Sequence, residues 1–255
     1  GAGADTISGG SGSDTIAGGA GADSISGGSG NDTISGGTGA DTLSGGGDGD
    51  VFNFAAGDSA LTIGGGGNPK IDTVTGYDVI SDFTTGSVVG VSDTLGITSA
   101  VVVANTAATN GTNSTSELHT STAGTPVVVA SHSIVNGIIS FDDVDTFGSA
   151  FLLTTPGDVA AAVNYLQRND LGNAGASVAF TATIPDGTHT YVFIQGNDAG
   201  TDNLDELIDL TNVSAESITA AANQISVHVT PVANNDTLAA TEDTPVTYTA
   251  AELLG

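Results

Sequence analysis

The sequence predicts a mainly β protein: an N-terminal parallel β-roll, then a β-rich cap and sandwich region with one short helix. Three observations carry this. Asp recurs every nine residues at 5, 14, 23, 32, 41 and 50, and an apolar residue stands two places after each. From 127 to 230, short β-prone runs alternate with turn residues. One stretch alone, after Thr155, combines helix-start chemistry with apolar residues at helical spacing.

The repeat unit is G-G-x-G-x-D-x-U-x, with U apolar. Glycine pairs stand at 9–10, 18–19, 27–28, 36–37 and 45–46, and a further glycine lies two before the Asp at 3, 12, 21, 30 and 39. In the sixth copy Asp48 takes that place. Six residues of each unit read as a Gly-rich turn, because its backbone needs conformations that glycine adopts cheaply. The x-U-x remainder reads as a very short strand with U turned inward. Two units make one coil, so Ile7, Ile25 and Leu43 stack in one parallel sheet, and Ile16, Ile34 and Phe52 in another.

Such a core is thin, and the stack is electrically strained. Residues 1–53 hold seven acidic residues and no basic one. Stacking sets Asp5 beside Asp23 and Asp14 beside Asp32 at about one strand spacing, ~4.8 Å. Unit charges that close repel by about 1–3.5 kcal/mol at effective dielectrics of 80 to 20. A cation is therefore required for folding. Calcium suits the donors: it is hard, accepts six or more oxygens and tolerates carbonyls beside carboxylates, whereas magnesium prefers small hydrated octahedra. Ions are expected between Asp5 and Asp23, Asp14 and Asp32, Asp23 and Asp41, and Asp32 and Asp50. Carbonyls of Gly10, Gly12, Gly19, Gly21, Gly28, Gly30, Gly37 and Gly39 would complete the shells.

These repeats resemble the nonapeptides of the RTX proteins, a family of secreted toxins, proteases, lipases and adhesins. The resemblance implies a calcium-bound β-roll that is unfolded at low cytosolic calcium and folded outside the cell. It also implies export by a type I apparatus.

Composition bounds the alternatives. The 255 residues carry 29 acidic and two basic residues, Lys70 and Arg168, for a net charge of −27. Nucleic-acid and anionic-membrane binders need a basic footprint, and there is none. No cysteine is present, which excludes disulfides, thiolate metal sites and thiol catalysis. No apolar run approaches the ~18 residues of a transmembrane span. Methionine is absent even from position 1, so the chain is expected to be an interior piece of a longer protein or a processed product.

Four segments are expected: the roll (1–53), its cap (54–100), a β-rich module (101–230), and a linker opening a further domain (231–255). In the cap, Asp78–Gly86 reads D-V-I-S-D-F-T-T-G, which resembles the D-x-I-x-D-F-x-x-G element found after RTX repeats. Ile80 and Phe83 would cover the open end of the roll, and Asp72, Asp78 and Asp82 are candidate ligands of a further ion. The polar stretch 105–124 reads as a surface loop or long hairpin. Strands are expected at 126–130, 137–141, 150–154, 176–183, 188–195 and 224–230. In the helix, Thr155 is the N-cap, Pro156 the first residue and Asp158 lies in the first turn. Val159, Val163 and Leu166 share a face, and 169–172 ends it.

Residues 190–219 resemble the terminal module of RTX and S-layer proteins, in which a strand is followed by an acidic loop, then a strand with a short helix. Asp198, Asp202 and Asp205 are candidate ligands there. The C-terminal stretch 231–255, with Asn235-Asp236, Glu242-Asp243-Thr244-Pro245 and Leu253-Leu254, resembles the opening of a bacterial cadherin-like or VCBS-type domain. Asp236, Glu242 and Asp243 are candidate calcium ligands on that resemblance.

No catalytic constellation emerges. H-E-x-x-H and G-x-S-x-G are absent. Gly57–Leu61 matches a G-D-S-x-L esterase only superficially and lies in the cap loop. His119, His132, His189 and His228 are scattered and read as exposed or hydrogen-bonded strand residues. The expected function is therefore a calcium-dependent structural or adhesive segment of a secreted bacterial cell-surface protein. It would act as a spacer or self-associate as an S-layer or filament subunit, and it is not expected to be an enzyme. The alternative is the accessory calcium-binding and secretion domain of a secreted hydrolase.

Overall fold

A computed structural model describes residues 1–64, 72–86, 91–98, 100–111, 118, 128–143, 147–169, 171–172, 174–196 and 204–229. The roll comprises β1 (Thr6–Ser11), β2 (Thr15–Ala20), β3 (Ser24–Ser29), β4 (Thr33–Thr38), β5 (Thr42–Gly47) and β6 (Val51–Phe54). Odd strands pair in parallel with odd, and even with even, so each residue faces its counterpart two repeats on. Ile7 lies against Ile25 and Ile25 against Leu43 on one side. Ile16, Ile34 and Phe52 follow the same rule on the other.

The strands are longer than expected. Each of β1 to β5 runs through the glycine pair, and only a short turn remains between strands. The burial pattern gives the reason. In β2 to β4 the apolar residue and the first glycine of the pair, two places on, both face inward. That glycine is a strand residue with no room for a side chain, not a turn residue.

The cap follows as β7 (Thr62–Gly64), β8 (Thr73–Thr75), β9 (Asp78–Ile80) and β10 (Thr94–Ile97). β9 adds to β5 and β10 to β6, both in parallel and in the register of the roll: Leu43 meets Ile80, and Phe52 meets Leu95. Then come β11 (Val101–Val102), β12 (Thr106–Asn110), β13 (Ser131–Val135), β14 (Ile138–Asp142), α1 (Pro156–Arg168), β15 (Ala176–Ile184), β16 (Gly187–Ile194), β17 (Glu206–Thr211), β18 (Ser217–Ala221) and β19 (Gln224–His228). Both roll sheets run on into this part. One continues β1-β3-β5-β9-β17-β16-β15-β14-β13-β12, with β11 beside β15. The other reads β18-β19-β10-β6-β4-β2.

Period-2 alternation buries both faces of β15 to β17. Ala179, Val192, Ile208 and Leu210 point into the core shared with the roll. Val178, Phe180, Tyr191, Phe193 and Leu207 point to a second core under α1. The helix begins as expected: Thr155 accepts from the Asp158 N–H at 3.2 Å, and Asp158 Oδ2 accepts from the Thr155 N–H at 2.9 Å. This capping box satisfies two otherwise orphaned amides.

Three expectations fail here. The described part of 126–130, residues 128–130, holds one bridge residue and no strand, and residues 150–154 form none. They are tied across by the Phe151 N–H to the Phe141 carbonyl (2.7 Å) and the Thr183 N–H to the Leu153 carbonyl (3.0 Å). After β17 the chain makes β18 and no short helix. Ile218 of β18 and Val227 of β19 are buried there as a cross-strand pair, which favours an extended chain. The polar stretch that starts at 105 enters β12, antiparallel to β13. Residues 112–117 and 119–124 of that stretch, and the cadherin-like tail 231–255, lie outside the described residues.

Candidate metal centre

The strand register creates two files of carboxylates. Each rung is made the same way. The Asp5 N–H donates to Asp23 Oδ1, Asp14 to Asp32, Asp23 to Asp41 and Asp32 to Asp50, all at 2.7 Å. The sheet bond beside each rung, such as the Ser24 N–H to the Asp5 carbonyl at 2.8 Å, locks the two coils in phase.

One oxygen of each carboxylate is thus used by the protein, and the other is not. Oδ2 of Asp14, Asp23, Asp32, Asp41 and Asp50 is buried with no hydrogen-bond partner. Asp23, Asp32, Asp41 and Asp50 are at most 3 % exposed. Burying an ionised oxygen without a partner costs several kcal/mol, about the desolvation penalty of an unpaired ion. The files therefore demand positive charge. Burial pushes the Asp50 carboxyl up to about 6, against the lowering effect of the Asp32 N–H, and the Asp93 and Asp32 charges raise it further. Burial likewise raises Asp41.

The glycines shape the place where a cation would sit. Gly10, Gly12, Gly19, Gly21, Gly28, Gly30, Gly37 and Gly39 all have positive φ, between 98° and 135°. A Cβ on Gly28 would run into the Gly10 carbonyl of the neighbouring coil. The first glycine of each pair, absent from the expected ligand set, has an equally strict role. A Cβ on Gly27 would strike Asp32 Oδ2 and lie 2.7 Å from the Gly45 carbonyl. The unpartnered oxygens and the inward-facing glycines thus share one space. Among the described residues no three His, Cys, Asp or Glu side chains converge as a cage. Backbone oxygens must supply most of any shell, and a hard cation accepts them.

The files do not stop at the sixth repeat. Asp78 Oδ1 accepts from the Asp41 N–H at 2.7 Å, and Asp93 Oδ1 from the Asp50 N–H at 2.8 Å. Asp93 was not among the expected ligands. Its signal was in the sequence: Asp93-Thr94-Leu95 repeats Asp41-Thr42-Leu43, although off the nine-residue phase. Gly76-Tyr77-Asp78-Val79-Ile80 likewise copies G-x-D-x-U, and Gly76 has φ +90° as the repeat glycines do.

At these last rungs the chain supplies its own donors. Asp93 Oδ2 accepts from the Thr84 N–H at 2.7 Å, and Ser59 Oγ lies 3.5 Å from Asp78 Oδ2. Burial pushes Asp78 up to about 8, and its neighbours Asp41, Glu206 and Asp58 add to the rise. Glu206, pushed by burial up to about 7, accepts from the Asp58 and Ser59 N–H groups at 2.8 and 2.9 Å. Within the G-D-S-x-L stretch Ser59 is fully covered, and its amide and that of Asp58 are held by Glu206.

The remaining candidates are dispersed. Asp82 accepts from Ser44 Oγ (2.6 Å) and from the Gly45 (3.0 Å) and Gly46 (2.9 Å) N–H groups, so it fastens the cap to β5. Asp72 is buried just before β8. Asp205 is buried and accepts from the Gly196 N–H at 3.1 Å. His119, Asp198, Asp202, Asp236, Glu242 and Asp243 lie outside the described residues. His132 pairs with the Tyr165 hydroxyl at 2.8 Å, and His228 with Thr219 Oγ1 at 2.9 Å.

Comparison with known proteins bears on the roll. Residues 1–34 and 26–61 match the model of the RTX calcium-binding nonapeptide repeat, in four copies. No curated protein matches the chain. Among solved structures, the R3 subunit of a mannuronan C5-epimerase from Azotobacter vinelandii aligns over 98 % of this chain and 93 % of its own, at 21 % identity and a TM-score of 0.40. The RTX repeats are a calcium-binding motif. Glycine pairs, nine-residue Asp spacing, parallel register at every second repeat and family model agree, and residues 1–61 of this chain are an array of RTX calcium-binding nonapeptide repeats.

Proposed function

We propose that Asp5, Asp14, Asp23, Asp32, Asp41 and Asp50, with carbonyls of the flanking glycines, hold two files of calcium ions. Binding then converts residues 1–53 from coil to a rigid roll. The observation that carries this is the run of buried, unpartnered Oδ2 atoms at Asp14 to Asp50. When metal binding and folding are one event, the binding free energy is folding free energy. Each site at 100 times its dissociation constant adds ~2.7 kcal/mol.

The roll is a structural segment of a secreted protein, with the cap (54–100) and β-rich module (101–230) built onto it and 231–255 leading to a further domain. The setting that fits best is a large bacterial surface protein exported by type I secretion, in which the segment is an adhesive spacer or an S-layer or filament subunit. The charge of −27 fits a calcium-rich exterior and opposes an anionic partner. No helix among the described residues is long and apolar enough to cross a membrane.

The test is a calcium titration of the metal-free chain, following far-UV circular dichroism and molecular mass together. A rise in β signal with magnesium inert is expected. Large assemblies would favour the lattice subunit, and a persistent monomer the spacer. No response to calcium would overturn the reading.

A further inference from the structure

His189 lies on β16, three residues after Asp186 in the turn between β15 and β16. Its ring is 4 % exposed and stacks on Tyr191 with an interplanar angle of 14°. Nδ1 is held by Asp209 of β17, at 2.8 and 3.0 Å from the two carboxylate oxygens. In its neutral form an imidazole held that way carries its proton on Nδ1 and presents the Nε2 lone pair outward. Nε2 is buried and has no hydrogen-bond partner. Its nearest charged neighbour is Asp186 Oδ1, at 3.4 Å. A lone pair facing a carboxylate at that distance is repulsive, unless a proton on Nε2 or a metal cation stands between them.

The spacing says what could. Two ligands of a tetrahedral zinc ion, each ~2.0–2.2 Å from the metal, are about 3.3–3.6 Å apart. The Nε2 to Oδ1 distance falls in that interval. A carboxylate on the far nitrogen, here Asp209, is the arrangement that fixes the tautomer and orientation of a metal-binding histidine. Gly187 has φ +149° and no side chain to fill the space beside Nε2. A Cβ there would sit 3.8 Å from Nε2 and 3.3 Å from Asn212 Oδ1, so the Asn212 amide oxygen borders the same space. Asp186 is 74 % exposed, which gives an ion a route from solvent.

We infer that His189 Nε2 and the Asp186 carboxylate form a transition-metal site of the zinc class, with Asn212 Oδ1 and water completing the shell. The site is separate from the calcium files and does not rest on them. Imidazole suits zinc, copper and nickel, while calcium prefers an all-oxygen shell, so the two metals sort by ligand chemistry. The function served is a metal clamp across the β15–β16 turn and β17.

The experiment uses the whole chain, saturated with calcium so that the carboxylate files are already filled. Zinc chloride is added, and the imidazole nitrogens are followed by long-range proton–nitrogen correlation. The His189 Nε2 signal should shift on saturation while those of His132 and His228 hold still. Asp186→Asn changes only an exposed turn residue and should weaken zinc binding by about tenfold or more, with the circular dichroism unchanged. His189→Gln should abolish the site, and cobalt in place of zinc should give the intense visible bands of tetrahedral geometry in the wild-type chain alone. An Nε2 that is protonated and indifferent to millimolar zinc would overturn the proposal. So would zinc binding of equal strength in wild type and Asp186→Asn, which would place the ion on other carboxylates.

Discussion

Asp32→Asn should change sign with calcium. Asp32 is a middle rung: its Oδ1 accepts from the Asp14 N–H, and its own N–H donates to Asp50 Oδ1. The amide keeps an oxygen acceptor and nearly the same shape, but it loses the charge. Without metal the buried charge is a liability. At one strand spacing, ~4.8 Å, repulsion from each neighbour is about 1–3.5 kcal/mol at effective dielectrics of 80 to 20. With neighbours on both sides, removing the charge should stabilise the metal-free roll by about 2–7 kcal/mol. The weaker neutral hydrogen bond offsets ~1 kcal/mol of that.

With calcium present the same change removes a ligand from two sites, one shared with Asp14 and one with Asp50. At 100 times the dissociation constant that is ~2.7 kcal/mol per site, about 5 kcal/mol together. Against a total stability of ~5–15 kcal/mol this is a large loss. The assay is urea unfolding followed by far-UV circular dichroism, in metal-free buffer and at saturating calcium, for wild type and variant. The variant should have more β structure than wild type without calcium and a lower unfolding midpoint with it. A shift of the same sign in both buffers would refute the idea that Asp32 is retained for a cation and not for its hydrogen bonds.

Gly36→Ala should remove at least one calcium from the stoichiometry measured by isothermal titration calorimetry, because its Cβ would lie 2.7 Å from Asp41 Cγ and displace the carboxylate. Gly47→Ala, with open space at that position, should bind like wild type. Metal-free stability should fall as pH rises from about 5 to about 8.5. Asp50, Glu206 and Asp78 are raised by burial to about 6, 7 and 8, so their contribution is full below the unfolded values near 4 and is lost through that window. With calcium bound the Asp50 contribution should reverse, since protons then compete with the ion there, while those of Glu206 and Asp78 persist, and thermal melts across this range read both cases. Thr155→Ala removes the side-chain half of the capping box and should cost ~1 kcal/mol in urea unfolding at saturating calcium.

The roll was legible because its determinants are local and repeated. A nine-residue phase fixes which residues face in, and two units per coil fix which Asp meets which. Thr155-Pro156 with Asp158 was legible for the same reason, since all of a helix cap lies within one turn. The role of Gly18, Gly27 and Gly36 was not. What excludes a side chain there is the carboxylate of the same unit, joined at Gly18 and Gly27 by a carbonyl of the neighbouring coil. Asp93 escaped because insertions broke the nine-residue phase while the sheet register survived: Phe52 still meets Leu95. The strand Glu206–Thr211 was legible only through the resemblance of 190–219, which puts a strand after the acidic loop. Buried on both faces and inserted between β9 and β16, it shows no apolar–polar alternation to read.

The way the two files end explains how a charged roll joins an ordinary β module. Along the repeat, the free oxygen of each Asp is left without a protein donor, and the chain depends on an external cation. At Asp93 that oxygen is taken by the Thr84 amide, and at Asp78 the Ser59 hydroxyl stands beside it. The Asp58 carbonyl meets the Gly39 N–H at 2.8 Å, where Ser29 and Thr38 carbonyls meet Gly12 and Gly21 in the coils below. The cap thus copies the backbone of one more coil while supplying its own donors around the carboxylates. From β9 onward the sheet passes to β17, whose partners are bound by apolar burial on both faces. Dependence on the ion should therefore be confined to the coils, and the β-rich module should hold its structure at calcium levels that melt the first repeats. Hydrogen exchange at intermediate calcium would show this as early loss of protection in β1 to β4, with protection kept in β15 to β17.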